Sequence, residues 1–316
     1  MSVADSTGGL PDRGIAFRAA PAEFGDPSLT KHDGLVRLRT RTRALTGMQK
    51  EAVVEYGPTG TIWRLMCDEG PWLNGTDLAP FPLAFFTAGL TAQLMSDYLA
   101  EAGARNIAID RLELRVENFF TMEGSALKGT MAAGVDPIQV AMRVSGDAET
   151  AELEDIAVIA LEDRSVAGVG LREQLPSRFS IRLNGRPLNW SGEDAPTMDA
   201  MKDPEPALTA LNAAEPVLSD PIIVKDEAAP PPPTEGAVGL QSDQKRQVHV
   251  HTDAGLRPDG LKEIAVQCIR PAGSRFILLS DDSADMGGQE RAPNGLTYLS
   301  AGIAFCFMTQ LGRYAQ

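Results

Sequence analysis

The chain resembles itself. Lys262-Glu263-Ile264-Ala265-Val266-Gln267 follows the pattern of Lys50-Glu51-Ala52-Val53-Val54-Glu55, and Pro271-Ala272-Gly273 that of Pro58-Thr59-Gly60. The stretch from Trp63 to Glu69 aligns without a gap with Phe276 to Asp282. The same offset then pairs Gly75 with Gly288, Ala79-Pro80 with Ala292-Pro293, Leu83 with Leu296, Ala88-Gly89 with Ala301-Gly302, and Met95 with Met308. Self-similarity held through strand, loop and helix constrains the fold more than any local pattern. The period is far too long for a solenoid, so the expectation is a tandem domain duplication. The alternative is a coincidental likeness of two hairpin–helix units. Repeat one runs on from Leu99 to about Pro187, whereas repeat two reaches Gln316 inside or just after its helix. The second copy is therefore expected to be incomplete, through degeneration or, the favoured expectation, truncation.

Four regions follow from composition and periodicity. Residues 1–33 are rich in Gly, Pro, Asp and Ala and read as an irregular arm. Residues 34–187 form the first domain. In it, Leu35–Arg43 alternates as a half-buried strand does. Ala52–Tyr56 and Ile62–Met66 flank the turn signal Gly57-Pro58-Thr59-Gly60. Phe81–Ala100 is apolar on nearly every side, the mark of a helix buried at the centre of a molecule, and Gly89 suits a close helix contact. Strands are expected at Asn106–Phe120, Ala126–Ala133, Ile138–Val144 and Arg178–Leu183, a helix at Glu149–Glu162 and a turn at Ser165–Leu175. The fold class is α+β, βββ–α–βββ–α–β. Residues 188–245, with Pro230 to Pro233, are a Pro-rich acidic linker, in which Pro221–Val224 is strand-like enough to dock on a domain. Residues 246–316 are the first half of the second copy.

The charge narrows the function classes. The 29 Lys and Arg against 43 Asp and Glu leave a formal charge of −14. No long basic run is present to displace counterions from a nucleic acid, so neither nucleic acid nor an anionic membrane is an expected partner. No apolar stretch has the length of a spanning helix. The first residues lack the basic and apolar regions of a signal peptide, which reads as cytoplasmic. Cys67, Cys268 and Cys306 are too few for a disulfide framework.

The run Pro293-Asn294-Gly295-Leu296-Thr297-Tyr298-Leu299-Ser300-Ala301-Gly302-Ile303-Ala304-Phe305-Cys306 resembles the central-helix motif of the OsmC/Ohr family, roughly Pro-x-x-Leu, then Ala with Ala or Gly, then Cys. The order of elements in repeat one is similar to the family domain, antiparallel β-sheets around a long buried central helix. The resemblance covers about residues 34–187 and 246–316. It implies a thiol-dependent hydroperoxide reductase, with a small-molecule hydroperoxide and a thiol reductant as partners and no cofactor or metal. Cys306 matches the peroxidatic cysteine. Gln93 stands at that position in repeat one, and Ser165 where the family's resolving cysteine would be. The family's helix-motif Glu is absent, with Leu296 and Thr297 in its place. Family members are intertwined homodimers with sites at the interface. A tandem copy would form an intrachain pseudo-dimer, or the chain a homodimer, with Arg39, Arg41 or Arg43 of repeat one supplying the cation beside Cys306.

A thiol reduces a peroxide only as thiolate, and a position well inside a helix gains little from the helix dipole. Cys306 therefore needs a neighbouring cation; otherwise it is a small apolar filler. Cys67 and Cys268 lie in strand-like segments and read as packing residues. The arginines at alternate positions 37–43 equally suit a solvated strand face. His249 and His251 share a strand face, but no third ligand stands at metal-site spacing. The rival to the enzyme is a non-enzymatic binding or scaffold protein that kept the fold and lost the chemistry.

Overall fold

The computed structural model describes residues 14–20, 28–30, 33–125, 128–173, 175–176, 182–183, 186–187, 205–231 and 244–315. The architecture is mixed α and β, with antiparallel sheets enclosing two long helices. The first sheet has the order β1 (Ala16–Arg18), β4 (Thr61–Cys67), β3 (Lys50–Tyr56), β2 (Leu38–Ala44). The second has the order β10 (Ile223–Glu227), β13 (Arg275–Ser280), β12 (Lys262–Arg270), β11 (Gln244–Leu256), β5 (Ile109–Gly124), with β6 (Ala132–Val135) and β7 (Gln139–Gly146) both pairing with β5. A third, two-stranded ribbon joins β8 (Arg182–Leu183) and β9 (Arg186–Pro187).

The long helices are α1 (Pro82–Ala104) and α5 (Gly295–Ala315). Pro82 opens α1 at the one position where a missing N–H costs nothing. The helix is apolar on every side and is buried on nearly every side. The chain crosses over between sheets: α5 packs beneath β2 and β3, while α1 packs beneath β11, β12 and β5. The matched segments keep the same local course. Each hairpin is followed by a 3₁₀ turn, Pro71–Leu73 and Ala284–Met286. Asp68 accepts from the N–H groups of Glu69, Thr76 and Leu78, and Asp281 accepts from those of Asp282 and Arg291.

The helices meet backbone to backbone. A Cβ at Gly89 would stand 2.4 Å from the Leu299 nitrogen, and one at Gly302 would stand 2.5 Å from that of Phe86. The two contacts are reciprocal, since the constant offset between the two similar segments pairs Gly89 with Gly302 and Phe86 with Leu299.

Several elements depart from the sequence expectation. Within the arm, residues 16–18 form β1, because Ala16 and Phe17 find apolar cover against β4. Strand β6 is shorter and later than the 126–133 expected, and Ala126 and Leu127 lie outside the described residues. The helix expected at Glu149–Glu162 is α2 (Thr150–Val158) followed by a π-helical turn, Ile159–Arg164. The turn expected at Ser165–Leu175 is instead a helix, α3 (Val166–Arg172), whose Ser165 N-cap accepts from the Gly168 N–H at 3.0 Å. Of the strand expected at Arg178–Leu183, only residues 182–183 are described. Within residues 188–245, α4 (Glu205–Ala210) lays Leu208 on Val53 and Ile62, and β10 closes the second sheet. That cover is why β3 and β4 are buried on both faces.

The joint between β5 and β11 carries a polar cluster. His249 and His251 lie 2.5 and 2.8 Å from the Glu117 carboxylate, and His251 lies 2.8 Å from Asp253. Burial raises the Glu117 pKa, but hydrogen bonds from the two imidazoles outweigh it, so the group titrates below the ordinary carboxylate range. A depressed folded pKa gives a contribution that is complete above the unfolded value, about 4.3, and is lost as pH falls through the folded one. Glu117→Gln should cost about 1 kcal/mol at neutral pH. It should also flatten the loss of stability below pH ~4, as read by denaturant midpoints across acid pH.

A Gly89→Val substitution meets backbone rather than a movable side chain. It should cost about 3 kcal/mol and lower the melting temperature by several degrees, whereas valine at Gly103, where a Cβ meets nothing, should show only the helix-propensity effect.

Candidate functional site

Cys306 lies on α5 and faces the inner side of the first sheet. The strand ends there bring up three groups. Lys50 opens β3 and pairs in register with Cys67, the last residue of β4. Glu69 follows two residues later. The Lys50 ammonium is 3.3 Å from Glu69 Oε1, and the two side chains are only 4% and 6% exposed. Lys50 also donates to the Met48 carbonyl at 2.7 Å. The Thr309 hydroxyl, one turn beyond Cys306, lies 2.6 Å from Glu69 Oε1, tying the helix to the strand ends.

Burial pushes the Cys306 thiol above its ordinary range; the Glu69 carboxylate raises it further, and Lys50 opposes both. Burial likewise raises Glu69, opposed by Lys50 and Thr309. Cys67 is fully buried and its thiol is pushed well up, chiefly by burial. Cys268 is pushed up to about 12 for the same reason. Both suit packing residues.

The second segment builds the same arrangement on α1. Lys262 lies 2.7 Å from Asp282 Oδ2, and the Ser96 hydroxyl lies 2.5 Å from Asp282 Oδ1. These three groups match Lys50, Glu69 and Thr309 position for position, with Gln93 where Cys306 stands. The Gln93 amide donates to Asp97 at 2.8 Å. Burial raises the Asp97 carboxyl, against hydrogen bonds from Ser165 and Gln93. Ser165 thus caps α3 and binds Asp97, a use of the hydroxyl that the resemblance does not predict. A cavity of ≈ 250 Å³ opens on this side, lined by Gln93, Asp97, Glu101, Arg164, Val166 and Asp282.

Arg39, Arg41 and Arg43 are not beside Cys306. The Thr40 hydroxyl meets Ser300 of α5 at 2.6 Å, so strand alternation turns the odd-numbered residues to the outer face. There Arg43 pairs with Glu51 and Glu205, and Arg64 joins Glu51. The cation whose charge acts on the thiol is Lys50, the first residue of β3. The signal for it was in the repeat itself: both segments carry Lys before the buried strand and an acid after the next, Lys50 with Glu69 and Lys262 with Asp282. Among the described residues, no group of three or more His, Cys, Asp or Glu is arranged to hold a metal ion. No described helix is long and apolar enough to cross a membrane.

No family model and no curated protein matches the sequence. A crystal structure described as an OsmC-like hydroperoxide resistance protein from Jannaschia sp. CCS1 aligns over 48% of this chain and 97% of that chain, with 19% identity and a TM-score of 0.31.

The signs of the two charges make the site testable. Glu69→Gln removes the carboxylate that raises Cys306. The pH dependence of Cys306 alkylation, read by mass spectrometry with a Cys67→Ala, Cys268→Ala background, should shift to lower pH by about one unit.

Proposed function

We propose that the chain is a duplicated OsmC-like protein in which Cys306 reduces organic hydroperoxides at a site shared between the copies. The second copy supplies the thiol and the first supplies Lys50 and Glu69. The first copy, with Gln93 and Ser165 where the family has thiols, is a partner without redox chemistry. The observation that carries the reading is the placement of the one partly exposed thiol of the chain's central helices next to a buried lysine–carboxylate pair.

In the reaction, the Cys306 thiolate attacks the distal oxygen of the hydroperoxide. The O–O bond breaks, the alkoxide leaves and takes a proton to become the alcohol, and the sulfur becomes a sulfenic acid. A thiol reductant then returns it to the thiol through a mixed disulfide. The Lys50 ammonium offsets charge at the sulfur, and Glu69 holds Lys50 in place while opposing the thiolate. A raised thiol pKa makes the thiolate scarce at neutral pH, so peroxide consumption should climb from neutral to alkaline pH. Three unbridged cysteines fit a reducing, cytoplasmic setting.

The second reading is a non-enzymatic binding protein. It is favoured by the cavity, which lies on the Gln93 side and has no thiol in its wall. Peroxide consumption by the full chain, compared with Cys306→Ser, separates the two. The enzyme reading expects the variant to lose essentially all activity over a no-protein control, and equal rates would overturn it.

A further inference from the structure

The cavity of ≈ 250 Å³ beside Gln93 has room for a small organic molecule rather than a lone water. Its wall is graded. The buried residues Tyr56, Gln93, Ser96 and Ser283 are polar, whereas Val36, Val166 and Met286 are apolar and exposed. A ligand that suits this order has a polar head directed inward and an apolar body directed outward. Cys306 is not in the wall.

Charge identifies the head. Three carboxylates line the cavity, and two of them are neutralised by the protein. Glu101 pairs with Arg105 at 3.0 Å and with Arg164 at 2.5 Å, and Asp282 pairs with Lys262 at 2.7 Å. Asp97 has no cation against it among the described residues. Its partners are the Gln93 amide, at 2.8 Å from Oδ1, and the Ser165 hydroxyl, and its Oδ2 is shielded from water with no hydrogen-bond partner. Burying an ionised carboxylate without a counter-charge is costly. The frame shared by the two segments does not require the group either. The offset that pairs Gln93 with Cys306 and Ser96 with Thr309 pairs Asp97 with Gln310, which carries no charge.

We infer that this cavity binds a small organic monocation, a primary amine whose ammonium lies against Asp97 and whose apolar body lies among Val36, Val166, Met286 and Leu296. One positive charge answers the one carboxylate that the protein leaves uncompensated. The torsion that turns an Asp carboxyl is broad, so Oδ2 swings to the cavity at little cost. The ammonium has three donors. Beyond Asp97, the Gln93 side-chain carbonyl and the Ser283 hydroxyl are acceptors in the same wall. An anionic ligand fits poorly, because it would meet three carboxylates and an arginine already engaged by Glu101. The inference stands apart from the chemistry of Cys306 and holds whether or not that thiol reduces peroxides.

The probe is phenethylamine, with phenethyl alcohol as its uncharged counterpart, each titrated into the full chain in a calorimeter. The amine should bind saturably at a single site and roughly tenfold or more tighter than the alcohol, because a charge-assisted hydrogen bond to a half-buried carboxylate is available only to the ammonium. Asp97→Asn should weaken the amine by a similar factor and leave the alcohol unchanged. Its melting temperature should stay level or rise, since the substitution removes an uncompensated charge, so a loss of affinity reads on the ligand and not on the fold. Cys306→Ser should bind the amine as the parent chain does, even if it loses all peroxide consumption. Absence of amine binding, equal affinity for amine and alcohol, undiminished binding by Asp97→Asn, or loss of binding in Cys306→Ser would each overturn the inference.

Discussion

The crossing of α1 and α5 is the contact on which the rest of the molecule depends. Gly89 and Gly302 let each helix backbone touch the other, and no side chain could stand at either place. Close approach brings each helix under the opposite sheet, so α5 lies beneath strands that precede it by most of the chain. Every later feature follows from that exchange. The thiol of one segment meets the lysine and carboxylate of the other, and the strand β5 of the first segment completes the sheet of the second.

Burial decides the electrostatics of the two sites. Lys50 with Glu69 is a buried pair, and Lys262 is buried against a partly exposed Asp282; an unpaired charge at the depth of Lys50, Glu69 or Lys262 costs several kcal/mol. Their retention in both segments makes a shared structural role plain: they pin strand ends to helices through Thr309 and Ser96. One turn away from that frame stands a thiol, Cys306, in one segment and an amide, Gln93, in the other. The frame also works against the thiol, since the carboxylate that fixes the lysine raises the group the lysine would otherwise activate.

Legibility differed by element for physical reasons. The buried helix Phe81–Ala100 was readable because apolar residues on all sides leave only a central position. The hairpins were readable from alternation and turn residues. Helix α3 was not, because two glycines within Val166–Arg172 look like a turn; its cap at Ser165 and its contact with Asp97 stabilise it where propensity does not. Strand β1 and helix α4 were hidden in segments whose composition suggests a tether, and each exists because it covers an apolar face of the first sheet. Which way the arginines at 39, 41 and 43 point was not legible, because alternation shows that they share a face and not which face looks inward.

The sequence by itself determined the likeness of its two segments, the buried helices, the position of the single thiol in a central helix and the pairing of a lysine with an acid in each segment. These are properties of spacing along one chain, and spacing is what a sequence records. Only the tertiary structure decided that Lys50 rather than an arginine attends Cys306 and that the segments exchange partners. Those outcomes depend on which face of a strand or helix meets which neighbour. That choice is made by packing between parts of the chain far apart in sequence, where a glycine crossing sets the distance and burial sets the charge.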